Sequence, residues 1–201
     1  MMKDIRFIGT DIDSPSLPGS LVNVPGGVSI TAGGADIWGG KDQFYFSYRE
    51  HTGNFDFITR IEALSRADLY SKAGIMARES LKANSSHIYL LVFPDNNPRN
   101  NNTGGFELQM RKLEAGDSLA IYPSKPDANP PEFPVNFPNT WMRLKRTGNW
   151  FDSFVSMDGR SWKLYASCTL DISTRILLGL AVTSHNINDT ATAKFTNISI
   201  A

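Results

Sequence analysis

Apolar and polar residues alternate in run after run along this chain, and few folds accept that pattern. In "DQFYFSYRE" the rings of Phe44, Phe46 and Tyr48 share one side. In "FDFITRIEAL" Phe55, Phe57 and Ile61 stand opposite Asp56, Arg60 and Glu62. "KAGIMARES" separates Ala73, Ile75 and Ala77 from Met76 and Arg78. "HIYLLVFP", "GFELQMRK", "WMRLKRTG", "NWFDSFVS", "WKLYASCTL", "RILLGLAVTS" and "ATAKFTNISI" continue the period. A period of two, carried by aromatic and β-branched residues and bounded by Gly, Pro, Asn and Asp, specifies strands. In the last run the apolar phase shifts between Phe195 and Ile198, which predicts a bulge. Helical periodicity is nearly absent; "SRADLY" predicts one helical turn capped by Ser65. So many strands must each bury a face, and two sheets packed face to face do this. The expected fold is all-β with very little helix: an antiparallel two-sheet sandwich, one domain over residues 1–201.

The connections carry their own signals. "TGN" at Thr147–Asn149 and "MDGR" at Met157–Arg160 each join two alternating runs. Asp158–Gly159 tolerates positive φ and predicts a tight hairpin, with Trp162 just past the turn as a cover for its end. "PDNNPRNNNTGG" (residues 94–105) and "PSKPDANPPEFPVNFPN" (residues 123–139) are too rich in Pro and Asn for regular structure and read as long surface loops, not domain boundaries.

Charge narrows the partners. Lys plus Arg and Asp plus Glu number 20 each, so no positive field draws in nucleic acid or an anionic membrane. No apolar stretch approaches the ~20 residues of a membrane span. "MMKDIRFIGTDID" lacks an apolar signal core, so a soluble, cytoplasmic protein is the default expectation. The single cysteine, Cys168, alternates with Trp162, Leu164 and Ala166 and reads as a buried, inert thiol.

Four stretches, "GADIWGGKDQFYFSYRE", "SKAGIMARESL", "WMRLKRTGNWFDSFVSMDGRSWKLY" and "LLGLAVTSHN…ATAKFTNISI", resemble the concanavalin A-like lectin/glucanase superfamily. Within it, the chain is most similar to modules related to the regulation-of-enolase proteins and to C-terminal domains of bacterial carbohydrate enzymes. The resemblance runs from about Asp11 to Ile200. It implies a jelly-roll-like sandwich of two curved antiparallel sheets, and many relatives bind sugars.

Catalysis lacks its residues. Glycan-cleaving members of the superfamily carry an E-x-D-x-x-E pattern on one strand, and this chain has none. Retaining hydrolysis needs two carboxyls about 5 Å apart, whereas "RIEAL", "GFELQM" and "ARES" hold one acid each. His51, His87 and His185 are scattered, and no G-x-S-x-G elbow exists. "TAGGADIWGGK" is Gly-rich, but Asp42 follows Lys41 and no helix follows, so it reads as a loop between strands, not a phosphate cradle. Zinc spacing is absent. Asp11 and Asp13 share one side of an extended segment, and Asp189 lies near the other terminus; a structural Ca²⁺ bridging them is the metal reading to test. Sequons begin at Asn84, Asn101, Asn188 and Asn197 and read as by-products of an Asn/Ser/Thr-rich β surface.

A polar strand face remains. If Ile75 and Ala77 face the core, Arg78 faces out; by the same alternation so do Tyr89, Gln109 and Arg111. An exposed sheet presenting Arg78, Tyr89, Gln109 and Arg111 offers rigid donors and an aromatic plate, which suit sugar hydroxyls and C–H faces. That these strands are neighbours is implied by the resemblance. Trp38, in "ADIWGG", is a binding anchor or a lid over the core end. The expected function is therefore non-catalytic binding of an oligosaccharide or polysaccharide. The rivals are a protein-interaction module using the Pro-rich loop or an edge strand, and an atypical glycoside hydrolase.

Overall fold

The protein is described by a computed structural model covering residues 6–99 and 102–201. Residues 1–5, the start of the "MMKDIRFIGTDID" stretch, and the sequon asparagine Asn101 lie outside the described residues. One sheet has eight strands. Its path runs β1 (Ile8–Ile12), β5 (Lys41–Thr52), β14 (Arg175–Thr183), β7 (Lys72–Arg78), β8 (His87–Val92), β9 (Phe106–Arg111) and β10 (Ser118–Ile121), with β4 (Asp36–Trp38) paired to the start of β5. The other has seven, in the order β13 (Lys163–Thr169), β12 (Trp150–Ser156), β11 (Thr140–Thr147), β6 (Phe55–Leu64), β15 (Ala191–Ile200), β3 (Gly27–Ala32) and β2 (Ser20–Val24). Neighbouring strands are antiparallel throughout, as the all-β sandwich expectation required.

The two sheets bury the alternating residues against each other. Ala73, Ile75, Ala77, Ile88, Leu90, Val92, Phe106 and Leu108 meet Phe57, Ile61, Met142, Leu144, Phe151 and Phe195 in one core. The other face of the eight-stranded sheet departs from expectation. Every residue of β7, β8 and β9 is buried, so this face is not half-solvated. It carries a second core of Ile12, Ile37, Phe44, Phe46, Met76, Tyr89, Leu91, Phe93 and Ala181. Phe44, Phe46 and Tyr48 do share a side, and it is this one. The cover comes from the Gly-rich segment. There β4 and β5 pair across Gly39–Gly40, with Trp38 opposite Lys41, and the segment 79–86 is tied down by Asp42 N–H donating to Ala83 O at 2.8 Å.

Several local expectations change. Among the described residues there is no helix. Ser65 extends a strand contact, its N–H donating to Thr192 O and its Oγ accepting from Thr192 N, while the following turn is held by Ser71 Oγ and Asp68 Oδ1 accepting backbone N–H groups. The bulge is present: the β15–β6 register shifts between Thr196 and Ser199, with Asn197 at φ 52°. The tight hairpin is at Gly148–Asn149, where Thr147 pairs directly with Trp150. Asp158–Gly159 lies instead in a longer loop between β12 and β13, where the Asp158 carboxylate accepts from Arg160 N, Ser161 N, Ser161 Oγ and Ser156 Oγ. Gly159 has φ 69°, and a Cβ there would meet Trp141 at 2.9 Å. Trp141 therefore packs against this turn. A register shift at Ser153–Phe154 brings Tyr165 into the core, leaves Leu164 exposed and half-buries Cys168, whose thiol burial pushes up to about 11.

The two Pro/Asn-rich loops brace each other. Asn96 exchanges two hydrogen bonds with the backbone of Val135, at 2.7 and 3.0 Å, and Thr103 Oγ1 contacts Pro126 O and Ala128 O. The acids proposed for calcium are each engaged. Asp11 accepts from Gly19 N, Asp13 pairs with Lys41 at 2.7 Å, and Asp189 accepts from Thr190 N. Among the described residues no group of three or more His, Cys, Asp or Glu is placed to hold a metal. Among them, too, no helix is long and apolar enough to cross a membrane.

Candidate functional site

Pairing across β14, β7, β8 and β9 sorts the second face into rows. Arg78, His87 and Arg111 form one row; Met76, Tyr89 and Gln109 form the next; Gly74, Leu91 and Glu107 form a third. Alternation therefore placed Arg78, Tyr89, Gln109 and Arg111 on one face and on neighbouring strands. It did not show that the face is roofed.

Under the roof, the arginine row is closed. Arg78 and Arg111 are both fully buried, as is Asp42 between them. Arg111 Nη2 donates to Asp42 Oδ1 at 2.6 Å and Nη1 to Oδ2 at 2.8 Å; Arg78 Nη1 reaches Oδ2 at 3.2 Å. One carboxylate cannot balance two guanidinium groups, so backbone carbonyls take up the rest. Arg78 donates to Ser80 O and Lys82 O, and Arg111 to Gly39 O, Gly116 O and Ser85 O. Burial lowers Arg78 to about 10 despite Asp42. Both arginines are thus occupied by protein and are not free to meet a ligand, as the open-sheet expectation had them. Tyr89 is corrected likewise: its ring is fully buried and its hydroxyl donates to Ala181 O at 2.9 Å.

Beyond this row the roof opens. A cavity of about 210 Å³ is lined by Asp36, Trp38, Tyr70, Lys72, Glu107, Gln109 and His185. Trp38 and Gln109, both expected from the sequence, are here. Lys72 Nζ donates to Asp36 Oδ1 at 2.6 Å and Ile37 O at 3.0 Å, and lies 5.7 Å from the Trp38 ring centroid. His185, held at φ 55°, stands between Asp36 (Nε2 to Oδ2, 3.4 Å) and Asp68 (Nδ1 to Oδ1, 3.0 Å), with Tyr70 5.4 Å away between ring centroids. The interaction with Asp36 raises His185 above its ordinary value. On β9, Gln109 Nε2 donates to Glu107 Oε1 at 2.5 Å, and burial raises the Glu107 carboxyl. Gln109 Oε1 is buried and has no hydrogen-bond partner.

Sequence reasoning missed Asp36, Tyr70, Lys72, Glu107 and His185 as a group. Lys72 and Glu107 carry a usable signal, being in phase with Arg78 and Gln109. Asp36 is two residues from Trp38. Tyr70 arrives from a loop, so no strand period announces it.

The architecture has known counterparts. A functionally unknown protein from Saccharomyces cerevisiae superposes with a TM-score of 0.69 at 17% identity, covering 96% of this chain and 95% of its own. The carbohydrate-binding module CBM66 from Bacillus subtilis follows at 0.59 and 14% identity, covering 96% and 94%. The fold is that of the concanavalin A-like lectins and glucanases. The exoplasmic/lumenal domain of VIP36, in a form bound to Ca²⁺ and Man3GlcNAc, shares it at a TM-score of 0.52 and 10% identity, covering 91% of this chain and 81% of that one. No family model and no curated protein matches the chain. At these identities the concanavalin A-like assignment speaks for the fold.

Proposed function

We propose that this protein is a non-catalytic carbohydrate-binding module whose ligand enters the cavity between Trp38, Tyr70 and β9, not an open sheet face. The observation that carries this reading is Gln109: a buried amide at the cavity wall whose oxygen lacks a donor. An unsatisfied buried acceptor costs about 1–3 kcal/mol, and a sugar hydroxyl relieves that cost as the wall, closed to water around this atom, opens to the ligand. Trp38 and Tyr70 supply ring surface for C–H faces. The cavity, about 210 Å³, is below the ~300–1,000 Å³ of drug-sized sites, so it suits one sugar ring with the rest of the glycan over the rim. Asp36 is engaged by Lys72 and His185, and Glu107 by Gln109, which supports carboxylates that hold the wall and do not react. The fold's occurrence in a carbohydrate-binding module and a mannose-bound lumenal domain agrees with this.

A glycan array followed by calorimetry tests the proposal. The expected dissociation constant lies between roughly tens of micromolar and millimolar, since few contacts are desolvated. Gln109→Ala and Trp38→Ala should each weaken binding about tenfold or more, near 1.4 kcal/mol, without unfolding the protein. Binding that ignores both substitutions, or no glycan bound at all, would overturn the proposal.

A further inference from the structure

His185, on the rim of the cavity, sits where three segments meet. β4 brings Asp36, the turn at 65–71 brings Asp68 and Tyr70, and His185 itself comes from the link between β14 and β15. Each ring nitrogen faces a carboxylate oxygen, Nε2 at 3.4 Å from Asp36 Oδ2 and Nδ1 at 3.0 Å from Asp68 Oδ1. A neutral imidazole offers one N–H and one lone pair, so only the imidazolium suits both carboxylates. The two contacts are braced unequally. Asp36 is fixed through its other oxygen, which accepts from Lys72 Nζ at 2.6 Å and Ile37 N at 2.7 Å. The Asp68 contact is an ion pair without the alignment of a hydrogen bond: Nδ1 is closed to solvent and has no hydrogen-bond partner. Charge alone holds it. Asp68 in turn shapes the turn, its Oδ1 accepting from Tyr70 N at 2.8 Å. Of the other charged groups around the cavity, Lys72 is committed to Asp36 and Ile37 O, and Glu107, on β9, accepts from Gln109.

We propose that His185 is a pH-sensitive latch on this cavity: as the imidazolium it ties the Tyr70 turn to β4, and on losing a proton it lets Asp68 and Tyr70 swing away from the mouth. The remaining N–H stays on the Asp36 side, where the partner is braced, and the Nδ1 proton leaves to water as the turn moves. A lone pair then faces Asp68, and the contact turns from attraction to repulsion. The ends of the turn stay fastened, since Ser71 Oγ donates to Ser184 O at 2.7 Å and Asn186 Nδ2 to Ala67 O at 3.3 Å. The movement is therefore confined to residues 68–70. The interaction with Asp36 holds the imidazole above its ordinary value of about 6.5, so release comes on the alkaline side of that value. The cavity is closed-rimmed below the transition and loose-rimmed above it. That this regulates glycan binding rests on the function proposed above; the latch itself does not.

NMR of the full chain without any glycan, from about pH 5 to 8.5, tests the latch. The His185 imidazole signals give its midpoint, which should lie above about 6.5. Hydrogen exchange of the Tyr70 amide, corrected for base catalysis, reads the turn, because that N–H is held by Asp68. It should speed up about fivefold or more across the same midpoint. Asp68→Asn should lower the midpoint and leave Tyr70 exchange fast at every pH. His185→Asn should remove the pH step at Tyr70. Tyr70 exchange that is flat across the His185 midpoint would overturn the proposal, even if nearby shifts move, since charge would then change without movement. So would a step that persists in His185→Asn, or a midpoint unmoved by Asp68→Asn. The wild-type titration decides the matter by itself if a variant does not fold. With no glycan present, failure of the latch and failure of the sugar reading show in different experiments.

Discussion

Along β9, Glu107, Gln109 and Arg111 turn to the same side of one strand, yet the first two border a cavity and the third is sealed. The arginine end is closed by the tip of the β4–β5 hairpin and by the 79–86 segment, which bring carbonyls and Asp42 onto the guanidinium groups. At the other end the cover is a rim of Trp38, Tyr70 and His185. Both ends are polar, and both are largely buried. What separates them is cover: at one end loops seal the guanidinium groups and match them within the protein, although His87 Nε2 there has no partner, and at the other a cavity borders Gln109 with its unpartnered Oε1. Polarity on a strand face therefore does not by itself mark an open surface; the loops above the face decide which polar groups border a cavity.

The sharpest way to break this contrast is to remove the hub of the closed end. Asp42→Ala leaves two buried guanidinium groups without a counter-ion and should cost about 3–5 kcal/mol in urea denaturation. A loss below about 1 kcal/mol would mean that the carbonyls alone hold the arginines, and the closed end would lose its special status. The two histidines offer a second test, of opposite sign. Burial pushes His87 down to about 4, with Asp42 offsetting only part. The unfolded chain takes up this proton near pH 6.5 and the folded one only near 4, so stability present above 6.5 is lost as pH falls to 4, by about 3 kcal/mol. His87→Leu should flatten that slope. His185 is raised, chiefly by Asp36, so its contribution is present below its ordinary value and lost as pH rises through the raised one. His185→Asn should remove that high-pH loss and leave the acid limb alone. The smallest expected effect is at the open end: Gln109→Ala should cost about 1 kcal/mol or less, because its amide makes one hydrogen bond within the protein. A cost comparable to that of Asp42→Ala would show that both ends are structural.

The sandwich was legible because alternation reports each residue's side of a strand. It assigned Ile75 and Ala77 to the inter-sheet core and Arg78, Tyr89 and Gln109 to the opposite face. Alternation is silent on what lies above a face. Here the cover comes from β4 and from 79–86, segments too short or irregular to show a period, so Arg111 read as a ligand contact when it is a buried tie. Trp38 and Gln109, singled out by residue type and phase, both line the cavity. Asp36, Tyr70 and His185 reach the cavity from loops and a strand end, and their convergence is a property of tertiary structure. The Asp158–Gly159 reading shows the same limit: positive φ at Gly159 was correctly implied, but loop length is set by register, which one strand pair does not reveal.

The strand order has a consequence for how the protein is made. β14 lies between β5 and β7, and β15 between β6 and β3, so residues 175–200 supply an inner strand to both sheets. During synthesis the earlier strands can pair only in fragments. Both sheets stay split, with the facing edges of β5, β7, β6 and β3 unpaired, until these last strands emerge. Such edges are templates for pairing with other chains. Assembly is therefore a late, closing event, and a ribosome stalled before residue 175 would hold out four unpaired strand edges.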